Sequence, residues 1–260
     1  MAIVISVANQ KGGVSKTTTS VNLAAAIALT KKNVLLIDID AQANATSSLV
    51  DNYGDRIKNS YAVVLNPQKI RDNIIQTTQP NLFILPGSPS LLNIERHIGN
   101  QTDRTERLFN ARKLVDDKFD YIIIDCPPSL TLLPINSFIA SDFVIIPIQC
   151  EYFSMEGLSQ IIDVVNDIRE TKNVSLRLMG ILLTMYDESV ESAREIIDQV
   201  HSVFNERVFK TIIPRDPSLS EAPSHGVSIF GYSITSHGAL CYARLAEEVL
   251  GHGQNRKNAQ

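Results

Sequence analysis

Short apolar runs recur along the chain at Ala2–Ala8, Val34–Ile39, Leu82–Leu85, Tyr121–Ile124, Phe143–Ile148, Leu178–Leu183 and Val208–Ile213. Several are nearly continuous instead of alternating, the pattern of strands buried on both faces. Helix-like stretches separate them at Thr18–Leu29, Arg104–Asp117, Gly157–Thr171, Val190–Asn205 and His237–Leu250. Strand and helix in alternation predict an α/β fold, a doubly wound, mostly parallel sheet flanked by helices on both faces. With 260 residues, 44% hydrophobic and 20% charged, the chain has material for one large core. The expected organisation is a single domain over 1–250 and a polar, flexible tail over 251–260.

Ligands of such sheets bind at the carboxyl ends of the strands. The first run is followed by KGGVSKTTT, Lys11–Thr19, which opens the first helix-like stretch. A strand that feeds a helix through a glycine turn leaves backbone N–H groups unpaired, and with the helix dipole they attract a polyphosphate. Lys16 supplies a point charge for the β- and γ-phosphates, and Thr17 a hydroxyl for Mg²⁺. The generic spacing of glycines is not met, because Gln10 and Ser15 stand at those places. A second lysine, Lys11, instead precedes the pair Gly12 and Gly13.

Other strand ends carry acids. LLIDIDAQANAT, Leu35–Thr46, sets Asp38, Asp40, Gln42 and Asn44 just beyond an apolar run. A carboxylate there positions water or meets the metal shell, or else serves as an ordinary helix cap. YIIIDCPPSL, Tyr121–Leu130, ends a strand in Asp125, suited to hold Mg²⁺ directly or through water, and Pro127 and Pro128 then stiffen the loop. PIQCEYFSMEGL, Pro147–Leu158, contains Glu151, which a helix dipole also favours near a helix start. IIPRDPSLSEAPSHG, Ile212–Gly226, reads as a structured loop after a strand.

Taken together and in this order, from Ile3 to Leu250, these segments resemble the deviant Walker A P-loop ATPases of the ParA/MinD family, whose loop reads KGGxGK[ST]. Within it they are most similar to ParA/Soj-type partitioning proteins. The resemblance implies a Mg²⁺-dependent ATPase, slow and partner-stimulated, cycling between ATP and ADP and acting in chromosome or plasmid partitioning. It implies a nucleotide loop of Lys11, Gly12, Gly13, Val14, Ser15, Lys16, Thr17 and Thr18, with Lys11 reaching the nucleotide of the other subunit in an ATP-dependent homodimer. Lys11, Lys16 and Asp40 become the catalytic set, Asp40 being required for hydrolysis, and Thr17, Asp40 and Asp125 surround the metal. Glu151 corresponds to a residue that approaches the ribose of the facing subunit's nucleotide. Thr184, Met185, Pro214 and Asp216 are the adenine-pocket candidates, and Cys126 is structural. Ser15 departs from the family's glycine. If that position uses a backbone angle that only glycine tolerates, serine costs on the order of 1 kcal/mol or more, weakening binding or slowing dimer closure.

The partners implied are a second copy, a ParB-like protein and nonspecific DNA, with a cytoplasmic, nucleoid-associated location. A net charge of −4 does not itself advertise nucleic-acid binding. Ser189 and Ser218 stand where Soj-like proteins carry arginine, which leaves Arg194, Arg207, Lys210, Arg215 and Arg244 as a local patch, with Arg256 and Lys257 on the tail. The three cysteines and five histidines show neither CxxC nor zinc spacing, so reduced thiols and no protein-ligated zinc are expected. No run is long enough to span a membrane and no membrane partner is expected. Two alternatives remain at this point. One is a MinD-like membrane-associated ATPase positioning cell division, which requires an amphipathic terminal helix; the other is a nucleotide-binding module whose hydrolysis Ser15 impairs.

Overall fold

The computed structural model describes residues 1–50, 58–151 and 156–257. In chain order its elements are β1 (Ile3–Val7), α1 (Lys16–Leu29), β2 (Val34–Asp38), α2 (Asn44–Ser47), α3 (Ser60–Leu65), α4 (Ile70–Asn73), β3 (Ile75–Gln76), β4 (Leu82–Leu85), α5 (Ile94–Ile98) and α6 (Arg107–Arg112). There follow β5 (Tyr121–Asp125), α7 (Leu132–Ala140), β6 (Phe143–Gln149), α8 (Glu156–Thr171), β7 (Arg177–Thr184), α9 (Glu191–Phe204), α10 (Pro217–Glu221), α11 (Ile229–Tyr232) and α12 (His237–Lys257).

The strands form one sheet in the order β3-β4-β2-β5-β1-β6-β7, parallel throughout except for the short β3. Alternation along each strand sends residues to two cores. In β1, Val4 joins the core built with α3, α6, α7, α8 and α9, whereas Ile3, Ile5 and Val7 join the core under α1 and α12. α1 is buried from Thr19 to Ala28, its alanines letting it lie close between sheet and α12. Because β1 sits between β5 and β6, the chain leaves it toward one edge first and the other later. The crevice outside its carboxyl end is therefore a topological switch point.

The elements differ from expectation at four places. Val208–Ile213 is not a strand: it makes a single bridge, Val208 with Ile181, and the backbone N–H groups of Lys210 and Thr211 donate to the Glu248 carboxylate of α12 at 3.0 and 2.9 Å. Phe209 and Ile213 still donate to Ile181 O and Leu183 O of β7, at 3.0 and 2.9 Å, but Thr211, the alternate donor between them, is withdrawn from that ladder. The helix expected over Arg104–Asp117 is confined to Arg107–Arg112, after which Leu114, Val115 and Lys118 bond three residues back in successive turns. α7 is an unanticipated helix. Its Pro134 lies in the first turn, where a backbone N–H has no helical partner in any case. α12 also continues to Lys257, into the stretch expected as a tail. Residues 258–260, and 152–155 within the Pro147–Leu158 segment, lie outside the described residues.

Candidate functional site

The loop from β1 to α1 is held from below by polar side chains. Asn9 is buried, donates through Nδ2 to Pro147 O at 2.7 Å and accepts the Lys11 N–H at 3.0 Å. Gln149 Nε2 donates to Gly13 O at 2.9 Å, and Thr184 Oγ1 donates to Ile148 O at 3.0 Å with Val14 O 3.4 Å away. The turn needs two left-handed residues, Gly13 at φ 77° and Ser15 at φ 63°, ψ 28°. Ser15 is the residue before α1, but in this conformation its side chain makes no capping bond. The angle is one that glycine adopts more readily than serine, and Lys31, Ala43 and Met185 also adopt it in this chain.

Lys16 opens α1, is buried, and donates from Nζ to Lys11 O at 2.8 Å. Burial lowers its pKa, against the pull of the Asp125, Cys126 and Asp40 charges. One residue on, Thr17 Oγ1 donates to Asp125 Oδ2 at 2.8 Å, and Ser20 Oγ donates to Asp125 Oδ1 at 2.8 Å. This meeting follows from the register, in which Val7 of β1 pairs directly with Asp125 of β5. Asp125 is wholly buried, which pushes its carboxyl up to about 7, with the Asp38 and Asp40 charges adding to the rise and the Ser20 and Thr17 hydroxyls opposing it.

Asp40 follows β2, is 9% exposed, and accepts the Gln42 N–H at 2.9 Å. Ala43, three residues on, is also left-handed, at φ 52°. A cavity of about 360 Å³ opens over Gly13, Lys16, Thr17 and Asp40 and reaches Pro128 and Met185. A larger cavity, about 670 Å³, lies at the amino ends of the strands near Met1, Phe109 and Asn173. The smaller one is the cavity that brings the glycine loop, Lys16, Thr17 and Asp40 together at the carboxyl ends of the strands.

The donors also suit a divalent cation. The Asp125 carboxylate and Thr17 hydroxyl are in contact and Asp40 opens on the same cavity, a set of hard oxygens. Among the described residues no group of three or more His, Cys, Asp or Glu forms a metal cage. Two carboxylates and a hydroxyl match Mg²⁺, which keeps water and phosphate oxygens in its shell, and not a fully protein-ligated ion.

The AAA domain family model matches residues 2–178. Over 253 residues the chain is 45% identical to the sporulation initiation inhibitor protein Soj of Bacillus subtilis strain 168, covering 97% of this chain and 100% of Soj. The chain belongs to the Soj/ParA family of partitioning ATPases. The chromosome partitioning protein ParA of Myxococcus xanthus is 40% identical over 247 residues, 95% of this chain and 87% of that protein. Among solved structures, cobyrinic acid a,c-diamide synthase from Mycobacterium smegmatis with bound ADP and magnesium has a TM-score of 0.86 at 31% identity, covering 98% of this chain and 96% of that one. The cell division ATPase MinD of Pyrococcus furiosus has a TM-score of 0.77 at 25% identity, covering 96% and 99%.

Not every residue that the ParA resemblance implies converges on this cavity. Thr184 is fully buried, and its hydroxyl braces the phosphate loop, so its side chain is no part of an open pocket. Asp216 caps α10 by accepting the Ser218 N–H at 2.9 Å and also accepts the Gly238 N–H at 2.8 Å. Met185 lines the cavity at φ 55°, with its Sδ 3.0 Å from Gln149 Nε2, and Pro214 is bridged to Tyr186 nearby. Glu151 stands beside Lys11. In this Soj/ParA chain Asn9, Ser20, Thr46 and Gln149 are further members of the site that no motif had singled out. For Ser20 a signal existed: it lies four residues after Lys16, hence on the same face of α1.

Proposed function

We propose that the chain is an ATP-dependent dimerising switch in chromosome or plasmid partitioning. The observation that carries this reading is the contact of Thr17 with Asp125 at the mouth of the phosphate loop, beside Lys16. ATP binds with its phosphates against the N–H groups of residues 12–18, Lys16 neutralises the β- and γ-oxygens, and Thr17, Asp125 and Asp40 hold Mg²⁺. When bound, Mg²⁺ offsets charge on the phosphate oxygens. Asp40 orients the attacking water, and because Gln42 N–H fixes one of its oxygens, it acts mainly by positioning. Lys11 reaches the triphosphate of a second copy, Glu151 lies near the ribose across that interface, and Met185, Pro214 and Asp216 border the base.

The ATP dimer is the form that binds DNA nonspecifically and a ParB-like partner, and hydrolysis releases it into a cytoplasmic pool. Arg194, Arg207, Lys210, Arg215 and Arg244 are exposed and supply the phosphate contacts. Among the described residues no helix is long and apolar enough to cross a membrane. Lys16→Ala should abolish ATP binding, whereas Asp40→Ala should keep ATP and prolong the dimer. Equal ATP turnover by the Asp40→Ala and unmodified proteins contradicts the role given to Asp40. A second reading, a nucleotide-binding module with impaired hydrolysis, is favoured by the left-handed Ser15 alone. Background turnover in the unmodified chain, restored by Ser15→Gly, would select it.

A further inference from the structure

We infer that Thr46 is a positioning residue for ATP turnover, locking the loop that carries Asp40 to the loop that follows β4. The inference rests on the role given to Asp40 above. Thr46 is wholly buried in α2. Its N–H and its hydroxyl both donate to Asp38 Oδ2, at 2.9 and 2.7 Å. The same hydroxyl accepts the Gly87 N–H at 2.8 Å. The other carboxylate oxygen, Asp38 Oδ1, accepts the Asp40 N–H at 3.1 Å. One buried carboxylate therefore fixes the backbone of Asp40, and Thr46 fixes that carboxylate.

The connection continues outward. A Cβ at Gly87 would lie 2.8 Å from Asp38 Cγ and 2.9 Å from each carboxylate oxygen, so only glycine lets this backbone come so close. The neighbouring Pro86 carbonyl accepts the Ser60 N–H of α3 at 2.7 Å. A continuous chain of bonds thus runs from α3 through the loop after β4 to Thr46, Asp38 and Asp40. The hydroxyl at position 46 must donate and accept at once, which serine can do and valine cannot.

The test compares Thr46→Val, Thr46→Ser and Asp40→Ala in the full chain by steady-state ATP turnover and by equilibrium ATP binding. Misplacement of Asp40 should lower kcat of Thr46→Val by about tenfold or more. Its ATP affinity should stay within about twofold of the unmodified protein, since uniform binding is untouched. Thr46→Ser should recover most of the rate. Should Thr46→Val not fold, Thr46→Ala, which also lacks the hydroxyl, takes its place. An unmodified kcat without the hydroxyl, an equal loss in Thr46→Ser, or an effect confined to ATP affinity would overturn the inference. If Asp40→Ala itself turns over normally, the reading of Asp40 fails instead; if it is inactive while Thr46→Val is unaffected, only the role of Thr46 falls.

Discussion

Lys11 Nζ lies 3.8 Å from Glu151 Oε2, and Arg215 Nη2 lies 3.4 Å from the other oxygen of that carboxylate. The side chains of Lys11 and Glu151 are 41% and 50% exposed, so water competes for both charges. Exposed pairs of this kind contribute about 0–1 kcal/mol. Lys11 can leave Glu151 at small cost, as its proposed reach to the nucleotide of a second copy requires. Lys11→Ala should accordingly change the urea unfolding free energy by less than about 1 kcal/mol. ATP binding should survive, while turnover is lost.

Ser15 offers a stability test. A side chain in the left-handed region costs about 1–2 kcal/mol, part of which glycine returns as chain entropy. Ser15→Gly should therefore stabilise the nucleotide-free protein by about 1 kcal/mol, and Ser15→Ala should not, because alanine keeps the Cβ. Denaturant midpoints of the three proteins check this. A matching gain in Ser15→Ala would mean that the hydroxyl, not the backbone angle, carries the cost.

Proton linkage at Asp125 has a definite sign. Burial raises this carboxyl to about 7 from an ordinary 3.8, and the neighbouring buried Asp38 to about 6. Between these limits the folded chain holds protons that the unfolded chain has released, so stability falls as pH rises through that window. Nucleotide- and metal-free protein should lose unfolding free energy between about pH 5 and about pH 7.5, and Asp125→Asn should flatten the slope. Urea titrations at the two pH values measure it.

The thiols should be inert. Burial pushes Cys126 up to about 12 and Cys150 up to about 11, and raises Cys241 as well. All three are free and buried. A thiol reagent at about pH 8 should find almost no thiolate in the native protein and should modify all three cysteines only in denaturant.

The sheet was legible because strands covered on both faces read as unbroken apolar runs, such as Val34–Ile39 and Phe143–Ile148. β3 was not, being only Ile75–Gln76. Val208–Ile213 carried the same apolar pattern yet failed as a strand, because Glu248, far along the chain, claims the Thr211 N–H that lies between the two donors, Phe209 and Ile213, that do pair with β7. Pro134 hid α7, since proline counts against a helix unless its place in the first turn is known. In the site, Lys16, Thr17 and Asp125 were visible because each sits at a strand end within a recognisable segment. Asn9 and Gln149 are single polar residues with partners far away in sequence, Thr46 joins nearby Asp38 to distant Gly87, and only the fold shows that they hold the loops. Asp38 stood out as an acid, but its task of fixing the Asp40 backbone became visible only with Thr46 and Gly87 in contact.

The most direct measurement is the solution mass of the Asp40→Ala protein by light scattering with Mg²⁺ and either ATP or ADP, beside a chain that also carries Lys11→Ala. A nucleotide-sandwich switch gives a dimer with ATP, a monomer with ADP, and a monomer under both conditions once Lys11 is removed. A monomer with ATP, or a dimer that persists without Lys11, would contradict it.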